Sequence, residues 1–368
     1  MRVVMVSKAC IVGQYQAKLE ELAKHPDLEL TVVVPPFWRD ERGVVTLERT
    51  HTNGYALRVE PIRFNGRFHL HYYPTLPQIL QRIQPDLVHI DEEPYNWATF
   101  HALRAAQHVR ARTLFFTWQN LLRRYPPPFA WLEAYVLQRS DYAIAGNAAA
   151  VEVLRAKNYR GAACVIPQFG VDPAAFQPGQ RPAAAPTTFC IGSGVGRLVE
   201  EKGVDVLLRA VAGLDGDWRV HLLGSGSAQP QLAALARELG IATRVHFDTP
   251  RPSVDMPAYY ARLDLFVMPS RTRPNWKEQF GRALVEAMAC AVPVIGSACG
   301  EIPHVIGDAG LVFHEEDADA LRAQIAALRA DPVRRAELGQ RGRARVLAQF
   351  TQAHVAEKTY QVYRLLAR

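Results

Sequence analysis

Short apolar runs alternate with longer amphipathic stretches along the chain. Arg2–Val6, Glu29–Val34, Ala56–Pro61, Leu87–Ile90, Thr113–Phe116, Tyr142–Ala145 and Ala163–Ile166 are brief, rich in valine, isoleucine, leucine and aromatic residues, and read as strands. Between them, Ala17–Lys24, Leu76–Ile83, Tyr95–His108, Phe129–Gln138 and Ala148–Lys157 predict helices. Pro167–Pro186 is rich in proline, alanine and glycine and predicts a linker. A second alternating series begins at Thr188, with strands at Phe189–Gly192, Arg219–Leu223, Val245–Phe247, Leu265–Met268 and Val292–Ile295. Short strands that are apolar throughout, alternating with helices, imply parallel sheets covered on both faces. Two such series imply an α/β chain of two doubly wound domains facing across a cleft, at 1–170 and 188–350 and joined by 171–187. Ligands of such sheets bind beyond the carboxyl ends of the strands.

Composition narrows the class. The chain has 368 residues, of which 49% are hydrophobic, enough for two substantial cores. No run of eighteen apolar residues is present, and MRVVMVSKAC is too short and interrupted for a secretory signal, so a cytoplasmic protein is expected. Cys10, Cys164, Cys190, Cys290 and Cys299 show no CxxC spacing and are odd in number, which predicts reduced thiols rather than disulfides or zinc. A net charge of +7 suits an anionic partner. Nucleotide sugars and anionic lipid surfaces both qualify, whereas no nucleic-acid-binding signature is present. Nothing in the sequence specifies an oligomeric state.

The chemistry concentrates in EQFGRALVEAMACAVPVIGS, where Glu278 precedes a helix expected from Phe280 and Gly281 through Ala289 and Glu286 lies within it. At about 1.5 Å rise per residue, two such carboxylates reach opposite ends of a ligand roughly 10 Å long. Ionised carboxylates only accept hydrogen bonds, so hydroxyl pairs suit them, and the helix N-terminus suits a diphosphate. Upstream, Gly196-Arg197-Leu198-Val199-Glu200-Glu201-Lys202-Gly203 has the strand, basic loop, helix layout of a phosphate site. Arg197 offers a planar fork and Lys202 a point charge.

GRLVEEKG, then ExxxxxxxE and AxPVIGSxxGEIPxVI, resembles the retaining glycosyltransferases of family four, which have the GT-B fold. The resemblance covers essentially the whole chain and is strongest from Ile191 to Phe313. It implies that Arg197 and Lys202 bind the donor diphosphate, Glu278 the donor sugar and Glu286 the ribose. Gln279, Phe280, Gly281 and Leu284 would adjoin the sugar and phosphate, Thr249 the base, and Gly13 would let backbone approach the donor. Catalysis would rest on Arg197, Lys202 and Glu278, with no metal and no cofactor beyond the nucleotide-sugar donor, UDP placed ahead of GDP. The acceptor would be a glycan, a lipid-linked sugar or a small molecule. The last helix, Val355–Leu366, would cross back to the first domain.

In the first domain, Glu92 and Glu93 follow a strand and suit either acceptor hydroxyls or the stabilisation of a helix N-terminus. Trp118, Gln119 and Asn120 follow the next strand, where many relatives carry a histidine that this chain lacks. The stretch 120–139 mixes Arg123 and Arg124 with aromatic residues and fits either an anionic membrane at the cytoplasmic face or an internally packed helix. Asp215-Gly216-Asp217 reads as a turn and the His69–His71 pair as surface. Gly192-x-Gly194-x-Gly196 is a defective dinucleotide fingerprint. A GT-B-like epimerase, an NAD-dependent oxidoreductase and a non-catalytic nucleotide-sugar-binding protein are the alternatives.

Overall fold

The computed structural model describes residues 1–40, 43–179 and 188–367. The chain divides into two compact units, Met1–Gly170 with Gln352–Arg368, and Val171–Thr351.

The strands of the first unit are β1 (Arg2–Val6), β2 (Glu29–Val34), β3 (Phe37–Asp40), β4 (Gly43–Thr46), β5 (Ala56–Val59), β6 (Leu87–Ile90), β7 (Arg112–Thr117), β8 (Tyr142–Ala145) and β9 (Ala162–Val165). Seven of them form a parallel sheet in the order β5-β2-β1-β6-β7-β8-β9. Val3, Val4 and Met5 of central β1 are fully buried, because helices cover both faces; this is why the strand reads as a continuous apolar run. The helices are α1 (Gly13–Ala23), α2 (Leu76–Ile83), α3 (Trp97–His108), α4 (Phe129–Arg139) and α5 (Ala148–Ala156). Ser7 and Asp91 leave the sheet side by side: the Ser7 amide donates to Val33 at 3.1 Å and the Asp91 amide to Val6 at 2.9 Å. The antiparallel β3–β4 hairpin has no counterpart in the expected pattern. It is short, and Val44 and Val45 face outward, so no alternation marks it. α1 begins at Gly13, a turn earlier than its apolar spacing predicts.

The second unit contains β10 (Phe189–Arg197), β11 (Trp218–Ser225), β12 (Val245–Asp248), β13 (Leu265–Met268), β14 (Val294–Ser297) and β15 (Leu311–Phe313). They form a parallel sheet in the order β12-β11-β10-β13-β14-β15. Its helices are α6 (Val204–Ala212), α7 (Gln229–Glu238), α8 (Met256–Tyr260), α9 (Arg282–Ala289), α10 (Ile302–Ile306), α11 (Ala318–Ala330) and α12 (Pro332–Gln349). The Gly192-x-Gly194-x-Gly196 run lies in β10 and carries a register shift between Ser193 and Gly196, so it is a bulged strand rather than a dinucleotide loop. β14 begins two residues later than expected. The Val292 amide still closes α9 onto Ala287 at 3.0 Å, and Pro293 has no N–H for the ladder. Val171 and Phe176, in the stretch expected as linker, are buried in this unit's core; residues 180–187 of that stretch lie outside the described residues.

α13 (Gln352–Leu366) belongs to the first unit. Val355, Ala356, Tyr360 and Tyr363 join the core around Val3 and Met5. The Tyr363 hydroxyl meets His89 Nδ1 at 2.7 Å, and Tyr360 donates to Asp27 at 2.6 Å.

Candidate functional site

In the second unit, Gly281 caps the N-terminus of α9 at φ 81°, a conformation that costs glycine little. The turn places Glu278 before the helix and Glu286 on its second turn. Glu278 is buried, and its Oε2 accepts from Lys202 Nζ at 2.7 Å and Ser270 Oγ at 3.2 Å. The Lys202 ammonium also lies 4.8 Å from the Trp276 ring centroid, within cation–π range.

Two loops fix this pair. Gly203 (φ 63°) allows the chain to run so close to the Pro269 carbonyl that a Cβ there would lie 2.0 Å from its oxygen. The Arg271 amide donates to Glu201 at 2.9 Å, and the Arg271 guanidinium pairs with Asp205. The Glu301 amide reaches the Glu278 carbonyl at 3.1 Å, past Gly300 at φ 56°. Arg197 ends β10 with its side chain 61% exposed and 3.9 Å from Glu201.

Glu286 is 6% exposed. Tyr260 Oη donates to its Oε2 at 3.0 Å, and Arg282 Nε donates to its Oε1 at 2.8 Å. The carboxylate lines a cavity of about 290 Å³ together with Val195, Gly196, Leu223, Arg251 and Met256. Thr249 is exposed, directly after β12 and before Pro250, which also lines this cavity. Gln279 is exposed, and Phe280 packs against Phe350 with ring centroids 5.8 Å apart. Leu284 is fully buried on the inward face of α9, its Cδ1 packed against Gly281, and its amide bonds to the Gly281 carbonyl.

The acidic loop of the first unit is engaged internally. Asp91 accepts from Ser7 Oγ at 2.6 Å and Gln168 Nε2 at 3.0 Å. Glu92 pairs with Lys8 at 2.5 Å and lies 3.4 Å from His71 Nε2. Burial opposes its charge, but Lys8 and His71 overcome that and hold its pKa down at about 2. Glu93 accepts from Thr117 Oγ1 at 2.6 Å and the Trp118 amide at 2.8 Å, and burial raises its pKa to about 7. Trp118 donates through Nε1 to Gln168 at 3.0 Å, and its ring covers Gly146. Gln119 and Asn120 are buried, and Gln119 donates to Tyr125 Oη at 3.3 Å.

One expectation needs correction. His71 is fully buried beside Glu92, so the HxH pair is not a surface pair; only His69 is exposed. Gly13 is closely approached by the 47–51 segment of its own unit. Its amide donates to Glu48 Oε2 at 2.6 Å, and a Cβ there would lie 2.2 Å from Thr50 Oγ1. Among the described residues no group of three or more histidines, cysteines or carboxylates could hold a metal. The motifs did not reveal Tyr260, Arg282, Ser270 and Trp276. Arg282 alone had a signal, its spacing of one helical turn from Glu286.

Two family comparisons match the chain: "Glycosyl transferases group 1" over residues 188–345 and "Glycosyltransferase Family 4" over 19–174. A GDP-mannose-dependent alpha-(1-6)-phosphatidylinositol monomannoside mannosyltransferase of Mycolicibacterium smegmatis is 36% identical over 165 residues, which is 43% of this chain and 42% of that protein. A D-inositol 3-phosphate glycosyltransferase of Mycobacterium marinum is 34% identical over 210 residues, 53% of this chain and 43% of that protein. The match thus spans less than half the length of either relative. Anabaena HepE in complex with UDP superposes with a TM-score of 0.78 at 18% identity, covering 99% of this chain and 100% of that one. Sucrose-phosphate synthase from Thermosynechococcus elongatus does so at 0.74 and 20% identity, covering 100% and 99%. The fold is therefore GT-B, and with both halves matched the chain belongs to the group 1, family 4 glycosyltransferases.

Proposed function

We propose that the protein transfers a hexose-type sugar, with retention of configuration, from a nucleoside diphosphate sugar to an acceptor hydroxyl. The observation that carries this reading is the pair of buried carboxylates flanking the start of α9, one joined to Lys202 and the other lining a cavity. Glu286 holds the ribose, Glu278 orients the donor sugar, and Lys202 and Arg197 offset charge on the departing diphosphate. The acceptor oxygen bonds to the anomeric carbon as the bond to phosphate breaks, and the acceptor proton leaves on a donor phosphate oxygen. No metal takes part in this scheme. Glu92 and Glu93 brace the acceptor side, where Trp118, Gln119 and Asn120 adjoin them.

Both UDP- and GDP-sugars fit the reading: one relative is named for GDP-mannose, and one neighbour was solved with UDP. The acceptor is a glycan, a lipid-linked sugar or a small molecule. Exposed Leu122, Trp131 and Trp97, with exposed Arg123 and Arg124, support peripheral contact with an anionic membrane at its cytoplasmic face. No helix among the described residues is long and apolar enough to cross a membrane.

A metal-free thermal-shift panel of UDP-, GDP-, ADP- and TDP-sugars tests the reading, followed by nucleotide-release assays with any hit. A selective rise in melting temperature, with release, supports it. A shift with NAD and with no sugar nucleotide overturns it. A shift without release leaves a non-catalytic nucleotide-sugar-binding protein.

A further inference from the structure

Glu286 is held from two sides, and each partner is unusual. Tyr260, the last residue of α8, is fully buried. Its ring is fixed edge-on to Tyr259 at 5.5 Å and to Phe266 at 5.8 Å between centroids. Burial and the neighbouring Glu286 charge push its phenol well above the ordinary range, so the hydroxyl stays a donor. Arg282 is the first residue of α9 and pairs with Glu286 one turn further on. A cation at a helix N-terminus opposes the macrodipole, and a base preceding an acid at this spacing is the weaker order of such pairs. A locally unfavourable residue beside a cavity points to a task rather than to helix stability.

The carboxylate geometry shows what that task is. An ionised carboxylate offers about four lone-pair positions, all acceptors. Among the described residues Tyr260 occupies one on Oε2 and Arg282 one on Oε1. The arrangement leaves one further acceptor position on each oxygen, a match for two adjacent hydroxyl donors. The other cavity-lining side chains include Val195, Leu223 and Met256, which suit a flat base and offer no competing strong acceptor.

We propose that Tyr260 and Arg282 are positioning residues that hold Glu286 as a reader of the ribose 2′,3′-diol, so that the protein discriminates ribonucleotides from 2′-deoxyribonucleotides. This rests on the ribose role of Glu286 under the proposed function. A deoxy ligand removes one donor and leaves one buried carboxylate lone pair unsatisfied, which predicts about a tenfold to hundredfold preference for the ribo form. Losing the Tyr260 hydroxyl lets the carboxylate turn, and the preference falls.

The test is calorimetric binding of UDP, 2′-deoxy-UDP, GDP and 2′-deoxy-GDP to the full chain, the Tyr260→Phe and Arg282→Gln variants, and Glu286→Gln. The expected result is a ribo-to-deoxy affinity ratio of about ten or more in the parent, falling to about three or less in Tyr260→Phe. Glu286→Gln should weaken the ribo forms most. A merely structural role for Tyr260 would weaken ribo and deoxy forms alike and leave the ratio unchanged, which overturns the inference. Should Tyr260→Phe not fold, the ratio in Arg282→Gln decides in the same way. An unchanged ratio in a folded variant, with binding weakened in Glu286→Gln, sinks the positioning claim alone. No binding of any nucleotide by the parent sinks the functional reading with it.

Discussion

Both units set acidic residues in a segment that follows a parallel strand, but they use them differently. In the second unit, Glu278 and Glu286 are each held by cations and hydroxyls beside a helix start, and Glu286 borders a cavity. In the first, Asp91, Glu92 and Glu93 bond to Ser7, Lys8, Thr117 and the Trp118 amide, with His71 3.4 Å from Glu92, and act as struts between strand ends. A common place after a strand therefore does not give a common role. What differs is whether the carboxylates stand beside a helix start and a cavity or are tied to the neighbouring strand end.

The largest effect that sharpens this contrast is on donor binding. Glu286→Ala should weaken nucleotide-sugar affinity by at least about a hundredfold, while Glu93→Gln leaves it within about threefold. Equal losses in titration calorimetry would erase the distinction. Lys202→Ala should lower kcat by about a hundredfold to a thousandfold, as removal of one charge-stabilising donor does. An unchanged kcat in a nucleotide-release assay would remove Lys202 from the leaving-group role.

The struts should show in stability instead. Glu92 is held at about 2 against an ordinary value of 4.5, so its contribution is complete above pH 4.5 and is lost as pH falls towards 2. The shift corresponds to something on the order of 3 kcal/mol, and Glu92→Gln should flatten that acid limb in denaturant melts. Glu93 has the opposite sign. Raised to about 7, it favours the folded state most at low pH, and that advantage fades between pH 4.5 and 7; Glu93→Gln should remove this slope. The smallest effect belongs to Gly13→Ala, which forces a Cβ against Thr50 and should cost about 1–3 kcal/mol. Adding Thr50→Ser should not restore it, whereas Thr50→Gly should recover part. A neutral Gly13→Ala would show that the 47–51 segment yields easily, as it must if Gly13 meets the donor.

Much of the fold was legible because both sheets are covered on two faces. Strands such as Val3–Val6 and Leu265–Val267 are then apolar throughout and stand out against amphipathic helices. The β3–β4 hairpin escaped because its exposed valines carry no burial pattern, and the late start of β14 escaped because it depends on where α9 closes onto Ala287. The spacing from Glu278 to Glu286 was legible in part: helical rise sets it from Arg282 onward, and the turn at Gly281 sets the rest.

The partners of those carboxylates were not legible. Lys202 and Glu278 are 76 residues apart, Tyr260 and Glu286 are 26 apart, and Gly13 and Glu48 are 35 apart. Leu284 sits inside the motif yet faces the core, and His71 sits in an apparent surface pair yet is buried on Glu92. Periodicity and residue chemistry act over a turn or two and are written in the chain. Which strand ends meet, which way a helix face turns and which carboxylate is neutralised by a distant lysine depend on packing over long separations, and only the folded molecule decides them.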